Sequence, residues 1–417
     1  MSGAAGTFED RAASLPAKKA GKDAGRSLWW VVHSWVGLKL SLFMAWVLLT
    51  GTFAVFAVEF DWLARPAMRV TPSQAPHASW GTIADAAVKA VPDASVTFIY
   101  APPHAWFAAE AIAETGPNSR VRVYLNPYEG TVQGVAPWMS FLRFFREMHR
   151  HLLLPIRYGV PIVSSMALLL VLSVVTGLVS YKKFWRGFFR RPRAGSARKV
   201  AGDLHRLGGL WSLWFVILIA LTGLWYLVES LGGGAPIPRA PKIEANLTAP
   251  LSAARIDELV RTGQEAYPNL RITELRLPSF TGGPLGVFGQ ADAWVVRDRV
   301  NGVWLDPVSG KVLEVWKGET LTAHQRISEA ADPLHFGTWG GMTTKIVWFV
   351  FGAVMTALAV TGVMIYSLRL KVAYATEEDA KPQGGFMRAW RGMGVWAYPG
   401  AGLVLMSLAL LPGWLAR

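Results

Sequence analysis

Residues 33–51 read HSWVGLKLSLFMAWVLLTG, and residues 205–223 read HRLGGLWSLWFVILIALTG. Each stretch opens on a histidine, has a glycine four residues later (Gly37, Gly209) and ends on a Thr-Gly pair. The threonine, Thr50 or Thr222, stands 17 residues beyond the histidine in both. At 1.5 Å per helical residue that interval is about 25 Å, most of the hydrocarbon thickness of a bilayer. The two stretches predict two membrane helices on one plan. Two other apolar runs share a second plan, Thr176-Gly177 then Tyr181 and Thr361-Gly362 then Tyr366. A fifth and weaker run near the C-terminus is interrupted by Pro399 and several glycines. The first run is too long for the apolar region of a signal peptide.

Composition agrees with a membrane protein. Hydrophobic residues make up 52% of the 417, and only 17% are charged, well below the quarter usual in soluble domains. That argues against a soluble enzyme and against disorder. The chain has no cysteine, which excludes disulfides, thiolate zinc sites, Fe–S clusters and c-type haem attachment. The net charge of +14 is unevenly placed. Segments 1–27, 182–206 and 369–395 hold 19 Lys/Arg against seven Asp/Glu, whereas 59–155 and 230–340 hold 19 against 20. By the positive-inside rule the first group is cytoplasmic and the two long segments are outside. The basic residues flank helices next to anionic lipid, so no nucleic-acid partner is expected.

The partition is a cytoplasmic basic tail (1–27), span one (28–58), an outer domain (59–155), span two (156–181), a basic loop (182–204) and span three (205–229). A second outer domain (230–341), span four (342–368), a cytoplasmic loop (369–394) and span five (395–415) complete it. The outer segments also match each other. Each opens with a helical pattern (82–91, 252–266), continues with strand-like alternation and offers a turn, Asn126-Pro-Tyr-Glu-Gly130 or Asp306-Pro-Val-Ser-Gly310. The expected fold is an α-helical transmembrane bundle of four core helices plus one C-terminal helix, with two α+β outer domains and an internal duplication.

Of eight histidines, His77, His104 and His324 lie in the outer segments and look ordinary. The other five stand at span entrances: His33 and His205 on the cytoplasmic side, and His149, His151 and His335 on the outer side. The repeat equates His33 with His205, and His149 or His151 with His335. For any one of them an interfacial imidazole is the plain alternative. At matched positions, ionisable side chains at membrane depth point to function, and imidazole is a common axial ligand of haem iron. Gly37 and Gly209 share the histidine's helix face, where a missing side chain leaves room for a porphyrin or for helix packing. Zinc suits this set less well, because carboxylates at ligand spacing are missing. Arg143, Arg146 and Arg150 form one stripe beside the outer histidines, fit for haem propionates, an acidic ligand or lipid phosphate. Trp106, Phe107 and Trp138 are candidates to line an outer cleft or to belong to an aromatic belt. No GxGxxG stands at a strand–helix turn, so no NAD or flavin domain is expected in this chain.

The motif His205-Arg-Leu-Gly-Gly-Leu-Trp with Thr222-Gly223, the NPYEG and DPVSG turns, and DPLHFGTWGG (332–341) together resemble the PepSY-associated transmembrane family over about residues 26–370. These are iron-regulated inner-membrane proteins of Gram-negative bacteria, and members of the FoxB and PiuB type are haem-containing siderophore reductases. The resemblance implies PepSY-like periplasmic outer domains and a reductase with two b-type haems. One haem would lie between His33 and His205, the other between His149 and His335, with electrons passing from a cytoplasmic or quinol donor to a ferric siderophore. The Met148-His149-Arg150 context fits the family better than His151, and residues two apart point about 200° apart on a helix, so both cannot face one porphyrin. The alternatives are a non-redox PepSY sensor or regulator and a siderophore transporter.

Overall fold

The computed structural model describes residues 28–415 except 182, 237, 244–246, 248, 279–281 and 375–383. The basic tail 1–27 and residues 375–383 of the 369–394 loop therefore lie outside the described residues. Among the described residues, four helical stretches are long and apolar enough to cross a membrane: Ile156–Ser180, Leu213–Gly233, Gly341–Leu370 and Gly385–Leu415. The first span is a bent pair, α1 (Leu28–Lys39) and α2 (Ser41–Val55), at 67° to each other. The third is likewise interrupted, between α8 (Ala197–Trp211) and α9 (Leu213–Val228). The interruptions fall at Leu40 and Ser212, each three residues beyond its motif glycine. Both His-x3-Gly motifs thus sit on a separate helix that precedes the one it leads into, where uninterrupted helices were expected. At the second break the buried Ser212 hydroxyl donates to the Gly208 carbonyl at 2.6 Å, a local back-bond of the kind that bends helices.

The remaining elements, in chain order, are α3 (Ala57–Ala64), α4 (Trp80–Ala90), strands β1 (Ser95–Tyr100), β2 (Ala109–Gly116), β3 (Ser119–Leu125) and β4 (Val132–Pro137), then α5 (Phe141–His151), α6 (Ile156–Ser164) and α7 (Met166–Ser180). After α9 come α10 (Ala253–Ala266), β5 (Arg271–Arg276), β6 (Leu285–Gln290), β7 (Gly302–Leu305), β8 (Val312–Trp316), α11 (Ala323–Phe336), α12 (Gly341–Tyr374), α13 (Gly385–Met393), α14 (Ala397–Ala409) and α15 (Leu411–Leu415). Helix pairings in the bundle recur. Helix α1 packs on α7 as α8 packs on α12, α2 on α12 as α9 on α7, and α5 on α2 as α11 on α9. Gly352 of α12 lets α2 approach closely, since a Cβ there would meet the Thr52 Oγ1 at 2.8 Å. Small residues at such contacts let backbones pack where no hydrophobic force acts between helices.

Outside the bundle stands one antiparallel sheet of eight strands, ordered β4-β3-β2-β1-β5-β6-β7-β8. Two outer domains were expected, and their edge strands β1 and β5 pair, Phe98 with Arg276, Ile99 with Leu275 and Tyr100 with Glu274. Unpaired backbone on an edge strand seeks a partner, and here each unit's free edge supplies it. Helices α4 and α10 pack on one face over Ile99, Leu125, Leu259, Leu275 and Leu305, all fully buried. They approach closely at Gly81, where a Cβ would lie 2.0 Å from the Ala253 carbonyl oxygen. Asp257 of α10 accepts from the Ser79 hydroxyl (2.6 Å) and the Gly81 N–H (2.7 Å). The two expected turns are present. Asn126 Oδ1 accepts from Tyr128 N and Asp306 Oδ1 from Val308 N, and each turn closes on a glycine at positive φ, Gly130 (72°) and Gly310 (77°).

Candidate functional site

Helices α1 and α8 bring His33 and His205 to one cavity of about 420 Å³, at the end of the bundle away from the sheet. Helices α5 and α11 bring His149 and His335 to a second, of about 570 Å³, on the sheet side. The two cavities share Met44, Leu48 and Leu170 as a common apolar wall. Gly37 and Gly209 both line the first, and a Cβ built on either meets nothing within 4 Å. They face open space, so helix packing does not account for them.

The four Thr-Gly pairs, which in the sequence only mark the repeat, each touch one of these histidines. His33 Nδ1 lies 3.1 Å from the Ser173 carbonyl and 3.1 Å from the Thr176 hydroxyl. His205 Nδ1 is 2.9 Å from Thr361 Oγ1, and His335 Nδ1 is 2.8 Å from Thr222 Oγ1. His149 Nδ1 is 2.8 Å from the Val47 carbonyl, and its ring lies against Gly51, whose Cβ would come within 2.6 Å of Cε1. A carbonyl only accepts. Thr176, Thr222 and Thr361 already donate their single proton to the carbonyls of Leu172, Leu218 and Ala357 one turn back. His33 and His149, which face carbonyls, carry the proton on Nδ1, and with the threonine protons on the helix carbonyls His205 and His335 do the same, which leaves Nε2 with its lone pair. Neutral imidazole oriented through Nδ1 is the form that binds metals. Burial, followed by the proximity of His149, pushes His335 down to about 3, and burial also lowers His149, so both stay neutral.

The His149 and His335 ring centroids are 6.1 Å apart, with their planes at 34°. Two imidazoles on opposite sides of one ion need about that separation, with metal–nitrogen bonds of about 2.0–2.1 Å. Among the described residues no three His, Asp or Glu side chains are arranged to hold a metal. Each cavity thus offers two nitrogens and leaves the other positions of an ion to whatever group carries it.

A charged network flanks His335. Tyr226, whose ring is 5.2 Å from that of His335, donates to Asp332 Oδ1 at 2.6 Å. Asp332 Oδ2 also pairs with Arg297 at 3.0 Å, and Arg297 and Arg299 both grip Glu329. Burial would raise the Asp332 carboxyl, but Arg297 and the Tyr226 hydroxyl hold it below its usual range. Sequence reading missed this network, whose members come from three elements.

The other candidates separate. His151 is buried, its Nδ1 has no hydrogen-bond partner among the described residues, and it does not line the cavity that His149 lines. Arg146 and Arg150 line the sheet-side cavity. Arg143 leaves the expected stripe: it pairs with Glu147 and lies 4.7 Å over the Trp138 ring. Phe107 is buried beside Met68 and Tyr124, and Trp106 stacks on His104 at 4.8 Å. Neither they nor Trp138 lines either of the two cavities.

A comparison with curated proteins found no match. Residues 30–369, a span that contains all four cavity histidines and both sheet halves, match the family described as PepSY-associated TM region. This chain, a membrane protein by its helices, belongs to the PepSY-associated transmembrane family.

Proposed function

We propose that the chain is a duplicated, multi-pass haem protein of the bacterial inner membrane that reduces a ferric siderophore outside, in the manner of the FoxB and PiuB type. The N-terminus is then cytoplasmic and the sheet, made of two PepSY-like units, periplasmic. The supporting observation is that four histidines, paired across two cavities, all have Nδ1 committed and Nε2 left free. In this reading His33 and His205 hold one b-type haem, and His149 and His335 the other. Haem held by these pairs would supply reversible one-electron chemistry at iron.

The rest is the work of the chain's own residues. Thr176, Thr222 and Thr361 fix the imidazole planes and the tautomer. Gly37 and Gly209 keep space beside the histidines. Met44, Leu48 and Leu170 exclude water between the cavities. Arg146 and Arg150 offer positive charge at the outer cavity, to propionates or to an acidic ligand. A quinol or a soluble cytoplasmic reductase supplies the electrons, one for each Fe(III) converted to Fe(II). A hard-oxygen chelator holds the less charged Fe(II) more weakly.

The test is the visible spectrum of the purified protein with a pyridine haemochrome assay. Two haems per chain, low-spin and shifted by dithionite, support the reading. One haem would leave a single-haem reductase, and a featureless spectrum would turn the assignment to a PepSY sensor or regulator, or to a siderophore transporter.

A further inference from the structure

The sheet-side cavity has a charge pattern that two imidazoles do not need. Five arginines line it, Arg146 and Arg150 of α5, Arg157 of α6, and Arg297 and Arg299 of the β6–β7 connection. Arg297 and Arg299 are neutralised by Glu329 and Asp332. The two carboxylates that line the cavity are also engaged: Asp332 as described, and Glu229 by Trp225 Nε1 (3.0 Å) and the Ser328 hydroxyl. Arg146, Arg150 and Arg157 are in no ion pair among the described residues and all three are exposed, although Arg146 acts on Asp332 through space and Arg157 lies 4.4 Å over the Tyr158 ring. Their positions are fixed by the backbone. Leu152 and Leu153 both take positive φ (58° and 59°) and turn α5 back into α6, so Arg157 faces the cavity beside the α5 pair. Three like charges converging on one cleft repel each other unless an anion lies between them.

We propose that Arg146, Arg150 and Arg157 form a binding site for an anionic, carboxylate-bearing metal chelate, seated over the His149–His335 pair. This rests on the reductase reading above and adds the substrate class: negatively charged ferric chelates in preference to neutral ones. The guanidinium fork matches carboxylate geometry in a way a lysine does not. Val160, Val163 and Ala167 line the same cavity, so a bound anion would also meet apolar surface there.

The probe is Ga(III)-citrate, which has the shape and charge of a ferric chelate and takes no electron. It is titrated calorimetrically into the full chain in nanodiscs of zwitterionic lipid, with haem content and retained phospholipid measured on the same samples. Wild type should bind it, and more weakly as salt rises. A neutral gallium tris-hydroxamate should bind less well. Arg146→Gln and Arg157→Gln should each weaken citrate binding about tenfold, the scale of one charge-assisted hydrogen bond. The triple change to Gln should abolish binding at unchanged haem content, and the triple change to Lys should recover part of it.

Three results would overturn the proposal. Loss of haem in the Gln variants would mean that the arginines hold propionates. Loss of retained phospholipid with citrate binding intact would mean that they hold lipid phosphate. Equal binding of neutral and anionic probes, unaffected by the substitutions, would mean that charge does not select the ligand. Failure of this proposal is separable from failure of the reductase reading. Citrate binding as expected in a protein without a Soret band sinks only the reductase; a two-haem spectrum without citrate binding sinks only the anion site.

Discussion

The two cavities hold their histidines by one device and differ in everything around it. On both sides an imidazole of one helix is pinned through Nδ1 to a neighbouring spanning helix. Away from the sheet the surroundings are mainly apolar, and two glycines face empty space. On the sheet side five arginines, Asp332 and Glu229 converge. The shared device fixes each imidazole, and the charged lining lies mainly on the sheet side. The difference lies less in the ligand atoms than in what the neighbouring side chains admit.

The comparison breaks most visibly at the histidines. His205→Ala should cost one haem and leave the His149–His335 site spectrally intact, and His335→Ala should do the reverse. Haemochrome assay and low-temperature spectra of each variant check this. If both haems vanish together in each variant, the cavities are not independent. Next comes Gly209→Leu, whose side chain fills the space that is open in the sheet-distal cavity. It should lose the distal haem and keep the other, while Gly209→Ala should keep both, since its Cβ meets nothing within 4 Å. Equal haem content in all three proteins would show that the open space serves no ligand.

Thr361→Val and Thr222→Val sharpen the comparison at a smaller scale. Each removes the hydroxyl that fixes one tautomer, so haem affinity at that site should fall about 10–100-fold, the usual cost of losing a ligand's orienting partner. Competition with apomyoglobin measures it. His33 and His149 also meet carbonyls, which a side-chain change does not remove; Thr176→Val should therefore have the smaller effect of the three. The smallest effect is expected of His151→Ala: both haems retained, with at most a change in stability from the vacated space.

The spans and turns were legible because their signals are local: twenty apolar residues, or Asn-Pro and Asp-Pro closing on Gly130 and Gly310. Pairing of the outer segments into one sheet was not, because an edge such as β1 carries no residue that names β5 as its partner. The histidines were legible through the repeat, and 200° of helical rotation separates His149 from His151. The meaning of Thr176, Thr222 and Thr361 was hidden although their recurrence was plain, since each contact joins two helices far apart in sequence. Arg157 was missed for a related reason. It follows Pro155 beyond a turn, and only the positive φ of Leu152 and Leu153 returns it to the arginines of α5.

The join between β1 and β5 bears on how the halves can move. Alternating-access carriers work by rocking one half of the molecule against the other about a central site. Here three residue pairs of β1 and β5 and the close crossing of α4 and α10 at Gly81 clamp the halves outside the bundle. A hinge between them would have to break the sheet at its centre on every cycle. Movement of one half against the other is therefore resisted on the sheet side of the bundle.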